Sequence, residues 1–184
     1  MTEIKQVRLS GLGGQGVVLS GVLLGQAGVM DGKYIAGSNS YGAEARGSGC
    51  ESEIVFSDSP IDYPHLTIPD ILVAMSQGTY DFYFRDVREE SGLILYDEGL
   101  VKPRWELKVR QWGIPATEYA IKRLKDKQVA NIVILGALVE TTQIVSAKAL
   151  QKAIVLHISE RFRKLNLKAF RLGMELGKKI HGRR

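Results

Sequence analysis

A cluster of glycines early in the chain has the spacing of an anion cradle. Gly11, Gly13 and Gly16 stand in GxGxxG register within Leu9-Ser10-Gly11-Leu12-Gly13-Gly14-Gln15-Gly16-Val17-Val18, where a short apolar strand breaks into glycines and resumes as a helix-patterned segment. In such a loop the first glycine permits a tight turn, the second leaves room for close approach, and the third lets helix pack on strand. The N–H groups that open the following helix point at a phosphate or carboxylate, and the helix dipole adds roughly 0.3–1 kcal/mol per favourable charge. Gln15, whose amide both donates and accepts, is placed to orient a ligand or a neighbouring chain. A dinucleotide-binding unit would add an acid about 20 residues further on, at the end of the second strand, to hold the ribose hydroxyl. None stands there, because Asp31 falls before that strand, in the turn. NAD and FAD are therefore disfavoured, while a tight strand-to-helix turn without a ligand stays open beside the anion cradle.

A second group is Tyr41, Glu44 and Arg46, within Gly37 to Gly49, a thirteen-residue stretch holding four glycines. Loops of that length are disproportionately functional. In a doubly wound sheet this loop lies at the carboxyl end of the second strand, beside the glycine loop, where ligands collect. Arg46 carries a planar five-donor fork suited to phosphate or carboxylate. The alternative is that Arg46 pairs with Glu44 or another acid and only holds the loop.

Other chemistry-bearing residues are isolated. The acid pairs Asp97-Glu98 and Glu89-Glu90 read as solvated charges at loops or helix ends, since no second catalytic group lies near them in sequence. His65, His157 and His181 show no catalytic arrangement, and the single cysteine, Cys50, excludes an intrachain disulfide framework or a cysteine-cluster metal site.

With 184 residues, 45% of them hydrophobic, the chain suffices for one soluble domain with one sizeable core. No apolar run approaches a membrane span, and Met1 to Lys5 lead directly into a strand without a signal-like stretch, so a cytoplasmic location is expected. The net charge of +5 is local: nine of the 25 basic residues and one of the 20 acids lie in 161–184, a segment charge of +8, leaving 1–160 at −3. Ala169, Leu172, Leu176 and Ile180 recur at helical spacing, so the segment is an amphipathic helix over 160–181 with a basic outer face. Aromatics are not interleaved with its basic residues, which argues against nucleic acid and for a solvated or protein-docking face.

The elements that must position these residues follow from periodicity. Strands are expected at Ile4–Ser10, Lys33–Ala36, Glu51–Ser57, Asp70–Met75 and Gly92–Asp97, with an edge strand at Trp105–Val109, where charged and apolar residues alternate. The continuous apolar runs at 70–75 and 92–97 mark central parallel strands. Val17–Met30 is a buried helix with Gly21, Gly25 and Gly28 spaced for close packing. Ser76 caps a short helix through Phe84 and Ser146 caps Ala147–His157. Pro115 opens a helix to about Leu124 from the N1 position. Ile132–Val139 suits strand or buried helix by pattern, and Asn131 as a cap with the small Gly136-Ala137 pair selects helix. The alternation specifies a single Rossmann-like α/β domain, with a mainly parallel sheet flanked by helices.

The glycine block and the block Tyr41-Gly-Ala-Glu-Ala-Arg-Gly47, together with the Leu-Gly-Ala of the Asn131–Val139 segment and the helix at Asn166–Gly173, resemble the gamma subunit or gamma domain of 2-oxoacid:ferredoxin oxidoreductases across nearly the whole of 1–184. The resemblance implies a complex that oxidatively decarboxylates a 2-oxoacid with coenzyme A, giving acyl-CoA, carbon dioxide and reduced ferredoxin. It also implies alpha, beta (thiamine-binding) and ferredoxin-like partner subunits, which carry thiamine diphosphate, magnesium and [4Fe–4S] clusters. The absence of a cysteine cluster and of a GDG thiamine motif here agrees with that division. Catalytic residues are not expected in this chain. Gly11, Gly13, Gly14, Gln15, Gly16, Tyr41, Glu44 and Arg46 are expected to shape a coenzyme A contact, and the basic helix to dock on a partner. The GxGGQG form leans toward 2-oxoglutarate or a branched-chain 2-oxoacid over pyruvate, with an indolepyruvate oxidoreductase subunit also open. Two competing readings are a stand-alone nucleotide- or coenzyme-A-binding module and a purely structural assembly subunit.

Overall fold

Strands covered on both faces read as continuous apolar runs, and the two such runs in this chain occupy the middle of its sheet. The computed structural model describes residues 4–41, 49–106 and 108–181. Strands β1 (Ile4–Leu12), β2 (Tyr34–Tyr41), β3 (Gly49–Ser57), β4 (Ile71–Ala74), β5 (Leu93–Asp97) and β6 (Arg110–Ile114) form one sheet in the order β2-β3-β1-β4-β5-β6. β1, β4, β5 and β6 pair in parallel, and β3 runs antiparallel to both β1 and β2. Only β3 opposes the common direction. The expected α/β fold with a mainly parallel sheet is borne out.

Side chains alternate along each strand, so one face of β4 and β5 joins each of two cores. Ile71, Val73, Leu93 and Leu95, with Val7 and Leu9 of β1, join the larger core under α1 (Val17–Met30), α4 (Ala130–Thr142), α5 (Ala147–His157) and α6 (Glu160–His181). Leu72, Ala74, Ile94 and Tyr96 face the other way, onto Tyr80 and Phe84 at α2 (Gln77–Tyr83). Ser76 and Ser146 cap α2 and α5 as expected, each hydroxyl accepting a backbone N–H. Ser146 in turn donates to Asp31 at 2.7 Å, which ties the turn after α1 to the start of α5.

Several sequence expectations shift. β2 extends to Tyr41, so Gly37–Tyr41 is strand rather than loop, its backbone paired with β3 from Gly37↔Ile54 to Tyr41↔Cys50. This stretch of an exposed edge carries Ser38, Asn39 and Ser40, which leave no apolar alternation to reveal a strand. The edge strand on the opposite side is Arg110–Ile114, not Trp105–Val109. Just before the expected strand, side chains hold the backbone: Tyr80 Oη accepts from Arg104 N at 2.8 Å, and Gln77 Oε1 accepts from Lys102 N at 2.8 Å. Pro115 is the N-cap rather than N1 of α3 (Ala116–Tyr119), which continues as a π-helical turn, Ala120–Leu124. α1 has a buried side, yet Leu19, Val22 and Val29 are exposed.

α4 is helix, as expected, and every residue from Ala130 to Val139 is buried. Asn131 does not cap it. A 3-10 turn at Lys127–Val129, capped by Asp126, runs straight into α4 and leaves Asn131 inside the helix. Against α4 lies the long basic helix α6, whose Arg161, Lys164, Lys168 and Arg171 are exposed.

Candidate functional site

β1 leads into α1 on one face of the sheet and β4 leads into α2 on the other. β1 and β4 are neighbours, paired from Val7↔Ile71 to Ser10↔Ala74. In open α/β sheets the crevice beyond the strand ends at such a switch point collects ligands. The glycine loop fills this position. Its left-handed residues are Gly14, φ 95°, and Gly16, φ 75°, a region that residues with a Cβ enter at a cost. Gly16 is the N-cap of α1, and no side chain caps the helix.

The tight places in the loop lie elsewhere than the generic glycine roles suggest. A Cβ on Gly11 would sit 2.6 Å from Gln15 Oε1, whereas Gly16 packs on Asn131 of α4 rather than on a strand. Asn131 Nδ2 donates to Gly16 O at 3.1 Å and to Ser20 Oγ at 3.2 Å. Gln15 spans the switch point. Its Oε1 accepts from Leu12 N at 2.6 Å and its Nε2 donates to Met75 O at 2.8 Å, so the amide staples the loop to the end of β4.

Beyond the loop a cavity of about 480 Å³ is lined by Gly13, Gly14, Gln15, Thr117, Lys127 and Gln128, among others. Lys127 is exposed, and no carboxylate of the described residues forms an ion pair with it. The preceding π-helical turn ends at Lys125 with φ 60°, which redirects the chain toward the cavity. Lys127 and the positive-φ Gly14, in the loop that leads into the N-terminus of α1, make this wall suited to an anion.

Behind Thr117 lies Asp97, which is fully buried, so the expectation of a solvated charge is overturned. Its Oδ2 accepts Thr117 Oγ1 at 2.5 Å and Thr117 N at 3.0 Å, and its Oδ1 accepts Gly99 N at 3.2 Å. Burial pushes its pKa upward, and these donors oppose the shift. The burial was legible in part, because Asp97 ends an apolar strand run. The partnership with Thr117 and the approach of Lys127 to the glycine loop exist only in three dimensions.

The second sequence group reaches the same sheet edge from the other side. Tyr41 is exposed at the end of β2 and pairs with Cys50, which pairs with Gly11. Tyr41, Leu12, Cys50, Thr79, Phe82 and Tyr83 help line a more apolar hollow of about 410 Å³. Glu44 and Arg46, and with them the question of their pairing, lie outside the described residues. Sequence reasoning missed Arg8, on the α2 face of β1. Its guanidinium meets Glu53 at 2.6 Å and Asp86 at 3.1 Å, and lies 4.4 Å from the Tyr83 ring centre. Burial, then Glu51, raises the pKa of Tyr83 and of the Cys50 thiol.

The fold and this crevice define the class: a doubly wound α/β unit with a glycine loop at its switch point. The family model for pyruvate ferredoxin/flavodoxin oxidoreductase matches residues 6–176. The chain belongs to that family. It is 45% identical over 179 residues to the 2-oxoglutarate synthase subunit KorC of Methanocaldococcus jannaschii, covering 96% of this chain and 95% of that one. The crystal structure of the gamma subunit of a keto/oxoacid ferredoxin oxidoreductase from Geobacter sulfurreducens superposes with a TM-score of 0.86 at 35% identity, over 96% of this chain and 98% of its own. The 2-oxoglutarate:ferredoxin oxidoreductase of Magnetococcus marinus, solved with 2-oxoglutarate, coenzyme A and succinyl-CoA bound, shares the fold at TM-score 0.86 and 24% identity. The match covers 96% of this chain and 31% of that one, so there the fold is one part of a longer chain. The resemblance carried by the glycine and Tyr41–Gly47 blocks is therefore borne out, down to the gamma-subunit type.

A [4Fe–4S] cluster held by four thiolates does not fit the donor set of this chain. Cys50 is the only thiol, and among the described residues no three His, Cys, Asp or Glu side chains are grouped to hold a metal. Nor is any helix of the described residues long and apolar enough to cross a membrane.

Proposed function

We propose that this chain is the gamma subunit of a cytoplasmic 2-oxoacid:ferredoxin oxidoreductase, with 2-oxoglutarate the favoured oxoacid, and that it holds an anionic part of coenzyme A at the glycine-loop cavity. The 45% identity to a 2-oxoglutarate synthase subunit over nearly the full chain supports the substrate choice. Decarboxylation and electron transfer belong to thiamine diphosphate, magnesium and [4Fe–4S] clusters in alpha, beta and ferredoxin-like partner subunits, with ferredoxin reached through them. This chain binds and positions.

The observation that carries the ligand assignment is the meeting of Gly13, Gly14 and Lys127 in one cavity at the switch point. Peptide N–H groups and one ammonium suit a phosphate, and coenzyme A is the anionic cosubstrate of the reaction. Tyr41, Glu44 and Arg46, the residues of the second sequence block, are further candidates for contact with coenzyme A. The exposed basic stripe of α6, Arg161, Lys164, Lys168 and Arg171, is the face that docks on a partner subunit.

The test is steady-state kinetics of the complex assembled with its partner subunits, varying coenzyme A against saturating 2-oxoglutarate. Lys127→Ala and Arg46→Ala should each raise the KM for coenzyme A with assembly intact. Unchanged coenzyme A kinetics in both variants would remove the ligand role. Loss of assembly in Arg46→Ala would instead make its loop an interface.

A further inference from the structure

Asp97 and Thr117 form a pair that the fold alone does not require. Asp97 ends β5, and Thr117 lies in the first turn of α3. Capping that turn uses only the bond from Thr117 N to Oδ2, and Gly99 N occupies Oδ1. The additional bond from Thr117 Oγ1 to Oδ2 fixes something else, the direction of the hydroxyl hydrogen. An ionised carboxylate only accepts, so the hydroxyl must spend its one hydrogen on Asp97 and has only lone pairs left for any other neighbour. Thr117 lines the glycine-loop cavity, and Asp97, fully buried, stands behind it.

We propose that Asp97 is a positioning residue that makes Thr117 an obligate hydrogen-bond acceptor on the wall of the glycine-loop cavity, so that the ligand held there presents a hydrogen-bond donor to Thr117 while its anionic group meets Gly13, Gly14 and Lys127. The proposal rests on the coenzyme A assignment and deepens it. The cavity then reads a ligand by two features, a negative charge and a hydrogen-bond donor. A simple carboxylate offers the first feature without the second. Coenzyme A offers both, its donors being the adenine amino group, the pantetheine amides and the ribose and pantoyl hydroxyls.

The assembled complex is assayed for KM and kcat with coenzyme A, comparing Thr117→Val, Thr117→Ser, Asp97→Asn and Lys127→Ala. Thr117→Val keeps the shape and deletes the acceptor, and should raise the KM about tenfold, equivalent to about 1.4 kcal/mol, with kcat unchanged. Thr117→Ser should restore the wild-type KM. In Asp97→Asn an amide nitrogen in place of Oδ2 donates to Oγ1 and turns the hydroxyl round, while Thr117 N loses its acceptor, so the KM should rise at least as much as in Thr117→Val. A wild-type KM in Thr117→Val beside a raised KM in Lys127→Ala overturns the acceptor role and leaves the coenzyme A site standing. Wild-type values in both overturn the site itself. A serine variant as impaired as the valine one also overturns the proposal, because the hydroxyl is then irrelevant. The inosine analogue of coenzyme A, which replaces the amino group by a carbonyl, locates the donor. A penalty in wild type that vanishes in Thr117→Val assigns the adenine amino group, and an analogue behaving as coenzyme A in both places the donor among the pantetheine amides and the hydroxyls, each upholding the pair.

Discussion

Asn131 donates its side-chain amide to the carbonyl of Gly16, 115 residues earlier in the chain, and so anchors the N-cap of α1 to the buried helix α4. The same amide reaches Ser20 Oγ at 3.2 Å. Helix α4 thus acts on the candidate site without lining it through Asn131. In Asn131→Ala the Gly16 carbonyl still accepts from Ser20 N and Ser20 Oγ, so the loss is that of an ordinary hydrogen bond, about 0.5–1.5 kcal/mol. Urea unfolding should show a lowered midpoint at unchanged slope. A midpoint equal to wild type would mean that the Gly16–Asn131 bond holds nothing.

The two left-handed glycines should respond differently to alanine. At Gly14 nothing lies within 4 Å of an added Cβ, so the penalty is conformational, about 1–2 kcal/mol for a left-handed residue. At Gly16 the same penalty applies and the Cβ would sit 2.4 Å from Asn131 Nδ2. Gly16→Ala should therefore be the more destabilised variant, and the double variant with Asn131→Ala should recover part of the excess. Equal unfolding midpoints for Gly14→Ala and Gly16→Ala would show that the Asn131 contact relaxes freely.

Gln15 is a test of staple against ligand contact. Gln15→Glu keeps the acceptor for Leu12 N but faces Met75 O with a carboxylate that cannot donate. The loop should lift from β4, raising the KM for coenzyme A in the complex and adding a negative charge to an anion-binding wall. Gln15→Ala, neutral, should raise it less. An equal rise in the two variants would assign the whole effect to the lost staple.

How much of this was legible follows from which interactions are local. The glycine spacing, the apolar runs of β4 and β5 and the caps Ser76 and Ser146 lie within a few residues of what they act on, and periodicity exposes them. The extension of β2 through Ser38, Asn39 and Ser40 was hidden because its pairing is all backbone at an exposed edge. Asn131, read as a cap from its place before an apolar run, proved to act on a glycine at the other end of the chain. Asp97 beside Glu98 read as a surface pair, yet the strand that carries it takes one acid inward and leaves the other exposed. Lys127 carried no sequence signal, since only the π-helical turn and Lys125 bring it to the glycine loop.

Asp97 also gives the protein a pH dependence of defined sign. Burial first, against the bonds from Thr117 and Gly99, raises its folded pKa above the ordinary 3.8. Between 3.8 and that raised value the folded chain binds more protons than the unfolded one, so stability falls as pH rises. The contribution is fully present below the unfolded pKa and is lost above the folded one. The stability difference between wild type and Asp97→Asn, followed by urea unfolding from pH 3.5 upward, should shift against wild type across this window. A pH-independent difference would mean that Asp97 titrates as it does in the unfolded chain.

The contact between α4 and α6 sets the last expectation. A Cβ on Gly173 would lie 2.0 Å from Val133 O and 2.9 Å from Gly136 Cα, and one on Gly136 would lie 2.3 Å from Phe170 O. The obstacles are backbone atoms, which cannot swing aside as a side chain does. Gly173→Ala must therefore push the helices apart, and overpacking of this kind costs about 1–3 kcal/mol. α4 also carries Asn131, so the displacement is transmitted toward Gly16 and the glycine loop. The unfolding midpoint should fall, and in the assembled complex the KM for coenzyme A should rise although Gly173 lines neither cavity. The exposed Lys168→Ala, on the same helix, should leave the unfolding free energy within about 0.5 kcal/mol of wild type. A Gly173→Ala protein as stable as wild type would show that α6 can shift on α4 without cost, and α4 would then no longer be a rigid support for the site.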